Sequence, residues 1–107
     1  MKKENILRVK DEDLEFIDID GGGTPIYHYQ GKPFTGMLLE YYDNILYREI
    51  EYLKGYEEGV ERVYYDNGKI KYEFHSKNNK PHGISKNWDE EGNLISTTEW
   101  KEGVKIR

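Results

Sequence analysis

Gly31-Lys-Pro-Phe-Thr-Gly36-Met-Leu-Leu-Glu-Tyr41-Tyr42, Gly55-Tyr-Glu-Glu-Gly59-Val-Glu-Arg-Val-Tyr64-Tyr65 and Asn79-Lys-Pro-His-Gly83-Ile-Ser-Lys-Asn-Trp88 are three writings of one pattern. The turn positions that open them, with Gly103 as a fourth, stand 24 residues apart each time. Asn79 takes the place of Gly because both residues tolerate positive φ. A period of this size marks stacked supersecondary units. Each copy reads as a hairpin, with a strand running from the second glycine to the aromatic pair. A turn follows at Asp43-Asn44, Asp66-Asn67-Gly68-Lys69 or Glu90-Glu91-Gly92-Asn93, and then a return strand. Asn-Gly between alternating runs is the strongest short-range hairpin signal. The three prolines all precede or open strands. The fold class is therefore all-β, an elongated single-layer antiparallel β-meander.

About three and a half hairpin repeats fill residues 29–107, with units near 29–52, 53–76 and 77–100 and a partial one at 101–107. Residues 1–28 read as an acidic, non-repeating leader packing on the array. Within it Phe16-Ile-Asp-Ile-Asp20 alternates as a strand, Gly21-Gly-Gly-Thr-Pro25 breaks the chain, and Ile26-Tyr-His-Tyr29 resumes it. At 107 residues the chain is one domain with a modest core. Hydrophobic content is low at 36%, while aromatic content is high at 14%, so broad rings must cover a thin sheet. There is no cysteine, which removes disulfides and thiolate metal sites. No apolar run is long enough for a signal peptide or a membrane span, and the expected compartment is the cytoplasm.

The net charge of −5 is unevenly placed. Asp11 to Asp20 hold six acids and no base, whereas the rest of the chain sets fifteen acids against sixteen Lys and Arg. Nucleic acid is thus disfavoured as a ligand, since phosphate binding needs clustered basic residues. A basic protein partner suits the acidity. A lipid surface is disfavoured as well, because the acidic leader would be repelled by anionic headgroups.

Simple alternation from each second glycine assigns a packed face to Met37, Tyr41, Val60, Tyr64, Ile84 and Trp88, joined by Leu46, Ile50, Ile70, Tyr72, Phe74 and Leu94 of the return strands. The opposite face then carries Glu40, Tyr42, Tyr47, Glu49, Glu51, Glu61, Val63, Tyr65, Lys71, Glu73 and His75, with Ser85, Asn87, Asp89 and Thr97 from the third copy. Carboxylates interleaved with tyrosines suit partner contact, since Tyr anchors interfaces and charge steers association. Glu40, Tyr42, Glu49, Glu51, Glu61, Tyr65 and Glu73 are the candidate partner-binding residues.

Catalytic constellations do not emerge. Asp18-Ile-Asp20-Gly-Gly-Gly23 echoes a calcium loop, but Gly22 and Tyr29 occupy positions that need oxygen ligands. Gly21-Gly-Gly23 lacks the Lys-Ser/Thr of a phosphate loop. His28, His75 and His82 have no partners at metal-ligand spacing. The expectation is a protein without enzymatic activity, cofactor or metal.

Several of these elements together resemble a known family. Gly31-Lys-Pro-Phe-Thr-Gly36 with Tyr41-Tyr42 is similar to a first unit of the MORN-repeat variant family. Tyr64-Tyr-Asp-Asn-Gly-Lys-Ile70 is similar to a central unit, Asn79-Lys-Pro-His-Gly83 with Trp88 and Glu91-Gly-Asn-Leu94 to a third, and Lys101-Glu-Gly103 to a truncated fourth. The first copy departs from the pattern in lacking the turn glycine after Asp43-Asn44 and in an extra residue between its two glycines. In particular the chain resembles the YwqK-type proteins, described as antitoxin or immunity partners of polymorphic toxins. The resemblance implies a MORN-like scaffold that binds a cognate toxin and occludes its active site or substrate groove. A non-catalytic scaffold or membrane-surface module is the alternative. A monomer is expected ahead of an edge-strand dimer, with Lys101, Lys105 and Arg107 guarding the last edge by charge.

Overall fold

The computed structural model describes residues 6–107, so the first five positions of the expected 1–28 leader lie outside the described residues. Both residues of every opening turn have positive φ: Gln30-Gly31 (51° and 79°), Lys54-Gly55 (51° and 93°), Asn78-Asn79 (52° and 67°) and Glu102-Gly103 (51° and 87°). That is the type I′ geometry, whose twist matches the right-handed twist of the flanking strands. The pairs closing the four turns, Tyr29↔Lys32, Leu53↔Tyr56, Lys77↔Lys80 and Lys101↔Val104, repeat one register.

These turns also carry the spacing between units. The first turn residue donates its N–H to the side chain just before the preceding second glycine. Lys54 thus bonds Thr35 Oγ1, Asn78 bonds Glu58 Oε1, and Glu102 bonds His82 Nδ1, at 2.9, 3.1 and 3.3 Å. The second turn residue donates to backbone: Gly55 to Phe34, Asn79 to Glu57 and Gly103 to Pro81, at 2.7, 3.0 and 2.8 Å. Backbone polar groups that a loop would leave unpaired are in this way satisfied from one unit to the next.

Among the described residues twelve strands result: β1 (Arg8–Lys10), β2 (Glu15–Ile19), β3 (Pro25–Tyr29), β4 (Lys32–Pro33), β5 (Gly36–Tyr42), β6 (Ile45–Leu53), β7 (Tyr56–Tyr64), β8 (Ile70–Lys77), β9 (Lys80–Pro81), β10 (Gly83–Trp88), β11 (Leu94–Lys101) and β12 (Val104–Lys105). The large sheet runs β1-β5-β6-β7-β8-β10-β11-β12, with β9 paired to β8, and β2-β3-β4 form a small second sheet. All pairings are antiparallel except β1 on β5. In the first copy Asp43 and Asn44 both take positive φ (50° and 66°), so a tight two-residue turn replaces the glycine turn of the later copies.

A β-bulge recurs with the same period. An extra residue stands on the return strand at Tyr47, Lys71 and Ile95, opposite the steps Glu40–Tyr41, Val63–Tyr64 and Asn87–Trp88. A bulge reverses the in–out alternation of the strand that carries it. The single packed face expected from uninterrupted alternation is therefore corrected. One face of the large sheet carries Leu38, Glu40, Arg48, Ile50, Tyr52, Glu61, Val63, Tyr72 and Phe74. The other carries Met37, Leu39, Glu49, Glu51, Val60, Arg62, Glu73 and His75. Tyr41, Ile84 and Leu94, expected inside, are exposed, and Ser85, expected outside, is buried.

Both faces of the first unit are covered. On the first face the small sheet lays Tyr27, Tyr29 and Phe34 over Leu38, Ile50 and Tyr52, with Val9 and Leu14 completing the cluster. Phe34 is 1% exposed and sits against Tyr52 and Tyr29, ring centroids 5.6 and 6.2 Å away. On the second face Ile6 covers Met37 and Val60, with Leu39 alongside. The second and third units extend from this anchored end. The leader turn reaches them at one point, where Asp20 Oδ2 accepts a hydrogen bond from Asn79 Nδ2 at 3.0 Å. The buried Asn79 also takes the N–H of Glu57 on Oδ1 at 2.6 Å.

Candidate functional site

The five candidate carboxylates do not share a face. Glu40 and Glu61 lie on the first face and flank Arg48, at 2.8 and 2.9 Å. Glu49 and Glu73 lie on the second face and flank Arg62, at 3.3 and 3.0 Å. Each ladder crosses three neighbouring strands, β5-β6-β7 in one case and β6-β7-β8 in the other. Hydroxyls complete them: Tyr47 donates to Glu40 Oε2 at 3.3 Å and Tyr64 donates to Glu49 Oε1 at 2.7 Å. His75 Nε2 stands 3.6 Å from Glu73 Oε1. Glu51 accepts the Val60 N–H and fills the space over Gly59 that a Cβ would need.

The two candidate tyrosines differ. Tyr65 is engaged, donating its hydroxyl to the Trp88 carbonyl at 2.7 Å with Lys71 over its ring. Tyr42 projects at the tip of the first hairpin and is 74% exposed. Residue types alone could not show this division. The arginines that consume the carboxylates, Arg48 and Arg62, become visible only once the cross-strand register includes the bulge.

Burial and charge perturb several groups. Burial by itself would lower the Arg48 guanidinium, but Glu61 and Glu40 outweigh it and hold its pKa above the usual value. The same opposition, settled by Glu73 and Glu49, raises Arg62. Tyr64 is pushed up to about 12 by burial and by its bond to Glu49. Glu57, opposite Tyr52 on the first face, is raised by burial and then by the charge of Glu61.

The sign of the Glu57 effect follows from linkage. Its folded state holds the proton more tightly than the unfolded chain does. The charged form therefore costs stability above the folded value, and the cost disappears as pH falls below the ordinary 4.5. Glu57→Gln is expected to raise the melting temperature at pH 7, with the gain fading below pH 4.5 in a calorimetric pH series. Asp20 acts in the opposite sense. Bonds from the Thr24 N–H and from Asn79 hold its pKa below 3.8, so its contribution is present above that value and lost in stronger acid.

A different surface keeps its charge. Asp11, Glu12, Asp13, Glu15 and Asp18 are exposed, and among the described residues none of them meets a Lys or Arg side chain in an ion pair. Glu15 and Asp18 accept only the backbone N–H groups of Gly31 and Ile19. Between them β2 exposes Phe16 (61%), Ile17 (50%) and Ile19 (53%). The sequence did signal the acids of this leader, but not that its apolar residues point outward. Elsewhere a shallow groove on the second face is bounded by Glu73, His75, His82, Ile84 and Lys86, with charges of both signs.

Residues 57–78 and 81–102 match the model of the MORN repeat variant. The two matched segments take in β7 to β8 and β9 to β11, within the second and third copies of the 24-residue pattern. The first copy, with its longer spacing between glycines and its two-residue turn, falls outside the matched segments. No curated protein and no solved structure matches the chain. Among the described residues, no helix is long and apolar enough to cross a membrane.

Proposed function

We propose that this chain is a non-catalytic MORN-type module that acts in the cytoplasm as an immunity protein, binding a basic protein toxin and occluding its active site or substrate groove. The observation that carries this reading is the leader surface. Its exposed carboxylates lack ion-pair partners among the described residues, and they surround three exposed apolar side chains on β2. Apolar anchors ringed by steering charge form an effective protein-binding surface. The sheet carboxylates Glu40, Glu61, Glu49 and Glu73 are less suited to this task, because Arg48 and Arg62 already hold them in internal ion pairs. They stiffen the platform that presents the leader, and Tyr42 adds a second exposed anchor at the first hairpin tip.

The test is co-expression with the product of the gene immediately upstream, followed by affinity purification and a salt titration. A stoichiometric complex is expected, weakened at least tenfold by the combined reversals Asp11→Lys, Asp13→Lys and Asp18→Lys. Reversals at Glu49, Glu61 or Glu73 are poor probes, since they break the internal ladders and unsettle the fold. Absence of a complex, with binding to anionic vesicles in its place, would replace the toxin reading with that of a membrane-surface scaffold.

A further inference from the structure

A different observation concerns the groove on the second face, where the second and third units meet. The repeat allows this junction to be set against the one before it, residue by residue at a spacing of 24. Glu49, Glu51, Gly59, Val60 and Arg62 of the first junction become Glu73, His75, Gly83, Ile84 and Lys86 of the second. At the first junction Glu51 covers Gly59, and its Oε1 accepts the Val60 N–H at 3.3 Å. Arg62 is engaged on both sides, by Glu49 and Glu73. Internal carboxylates thus meet both donors of that junction.

The second junction is built differently. Ile84 lies opposite Glu99, whose N–H and carbonyl turn away from β10 to Arg107 and Ile106. The pair is therefore a non-hydrogen-bonded one, and the Ile84 N–H points back toward β8, as the Val60 N–H points toward β6. There it meets the His75 position in place of a carboxylate, and among the described residues no side chain accepts it. A Cβ built on Gly83 would come no nearer to His75 than 3.6 Å, so this glycine is not covered as Gly59 is. Lys86 has the place of Arg62, but its cross-strand neighbours are Glu73, which Arg62 already holds, and Thr97. Among the described residues Lys86 enters no ion pair. His82 borders the same groove and accepts the Glu102 N–H on Nδ1 at 3.3 Å, which leaves Nε2 as its donor. Glu58, the other carboxylate of the groove, is bound to the Asn78 N–H.

We propose that this groove binds a carboxylate from outside the chain, held by the Ile84 N–H and Lys86 in the position that Glu51 fills one unit earlier. The preceding junction is the template: the same backbone turn takes a carboxylate oxygen there. A backbone N–H and a lysine together make charge-assisted bonds, about twice as strong as neutral ones. The Ile84 side chain, 46% exposed and lining the groove, sets an apolar surface beside the two donors. A carboxylate next to a branched aliphatic group therefore suits the groove better than acetate. A free aliphatic acid and the last residue of a peptide both present that group.

Titration of the full chain with isovalerate, followed by the backbone amide signals in proton–nitrogen correlation spectra, tests this. A saturable downfield shift of the Ile84 amide is expected, at lower concentration than with acetate and not with chloride at equal ionic strength. The dipeptide N-acetyl-Ala-Leu distinguishes the sources. Tighter binding than isovalerate assigns the groove to peptide termini, and equal or weaker binding assigns it to small acids. Its C-terminal amide should not bind. His75→Glu and His75→Gln each set a side-chain oxygen where Glu51 has one, so both should weaken binding about tenfold, the loss of a charged hydrogen bond. Lys86→Gln should weaken it similarly and is the second probe if the His75 variants do not fold. Shifts that never saturate, or an amide that binds as well as the acid, overturn the proposal. So does undiminished binding in His75→Gln or Lys86→Gln once the variant is shown to be folded by its thermal transition.

Discussion

Phe34→Ala is expected to cost about 3–5 kcal/mol of unfolding free energy, the usual range for deleting a buried aromatic ring. Phe34 is 1% exposed, the most enclosed large side chain among the described residues, and it joins the two layers. Its ring touches Tyr52 of the large sheet on one side and Tyr29 of the small sheet on the other. Its backbone is committed too: the N–H bonds the Tyr27 carbonyl, and the carbonyl receives the Gly55 N–H. Removing the ring leaves a cavity under the leader, and a domain of this kind has only about 5–15 kcal/mol to lose. Urea unfolding should show the loss as a lower midpoint. Leu94→Ala is the control: it is exposed and away from the core, so a change within about 0.5 kcal/mol is expected. Equal losses for the two variants would mean that the core is not at the first unit.

That contrast shows how far the sequence could be read. The 24-residue spacing of Gly31, Gly55, Asn79 and Gly103 made the hairpins legible, because only residues tolerant of positive φ serve at a type I′ turn. The strand–break–strand order of residues 16–29 was legible from the alternating runs on either side of Gly21-Gly-Gly-Thr-Pro25. The faces were not. A bulge has no strong residue signature, and Tyr47, Lys71 and Ile95 have nothing in common as side chains. Each reverses the alternation of its strand, so counting in twos placed Ile50 with Met37, although they pack into different clusters. Nor could a list of acids disclose which ones meet an arginine. Glu49 and Asp18 look alike in the sequence; in the fold one is held by Arg62 and Tyr64, and the other faces solvent. The candidate surface therefore moves toward the acids that the array does not use itself.

Arg48→Ala is expected to be the most damaging surface-directed substitution, at about 2–3 kcal/mol, somewhat under the 3–5 kcal/mol typical of breaking a fully buried pair. Arg48 is about one-third exposed, while Glu40 and Glu61 are more enclosed than the cation between them. Without the guanidinium those carboxylates confront each other with Glu57 nearby, and burial and the charge of Glu61 already raise that group. The defect is then mainly electrostatic. It should shrink as acid protonates the stranded carboxylates, which a lost packing contact would not do. Adding Glu61→Gln to Arg48→Ala should recover part of the stability, since removing one charge relieves the repulsion that the first change created. A deficit unchanged by pH and by Glu61→Gln would assign Arg48 a packing role through its methylenes. The same logic applied to Arg62 concerns the opposite face, where the Tyr64 hydroxyl shares the load on Glu49 at 2.7 Å, so the loss there should be smaller. Unequal costs for the two ladders would show that ion pairing alone does not set what either arginine contributes to the stability of this sheet.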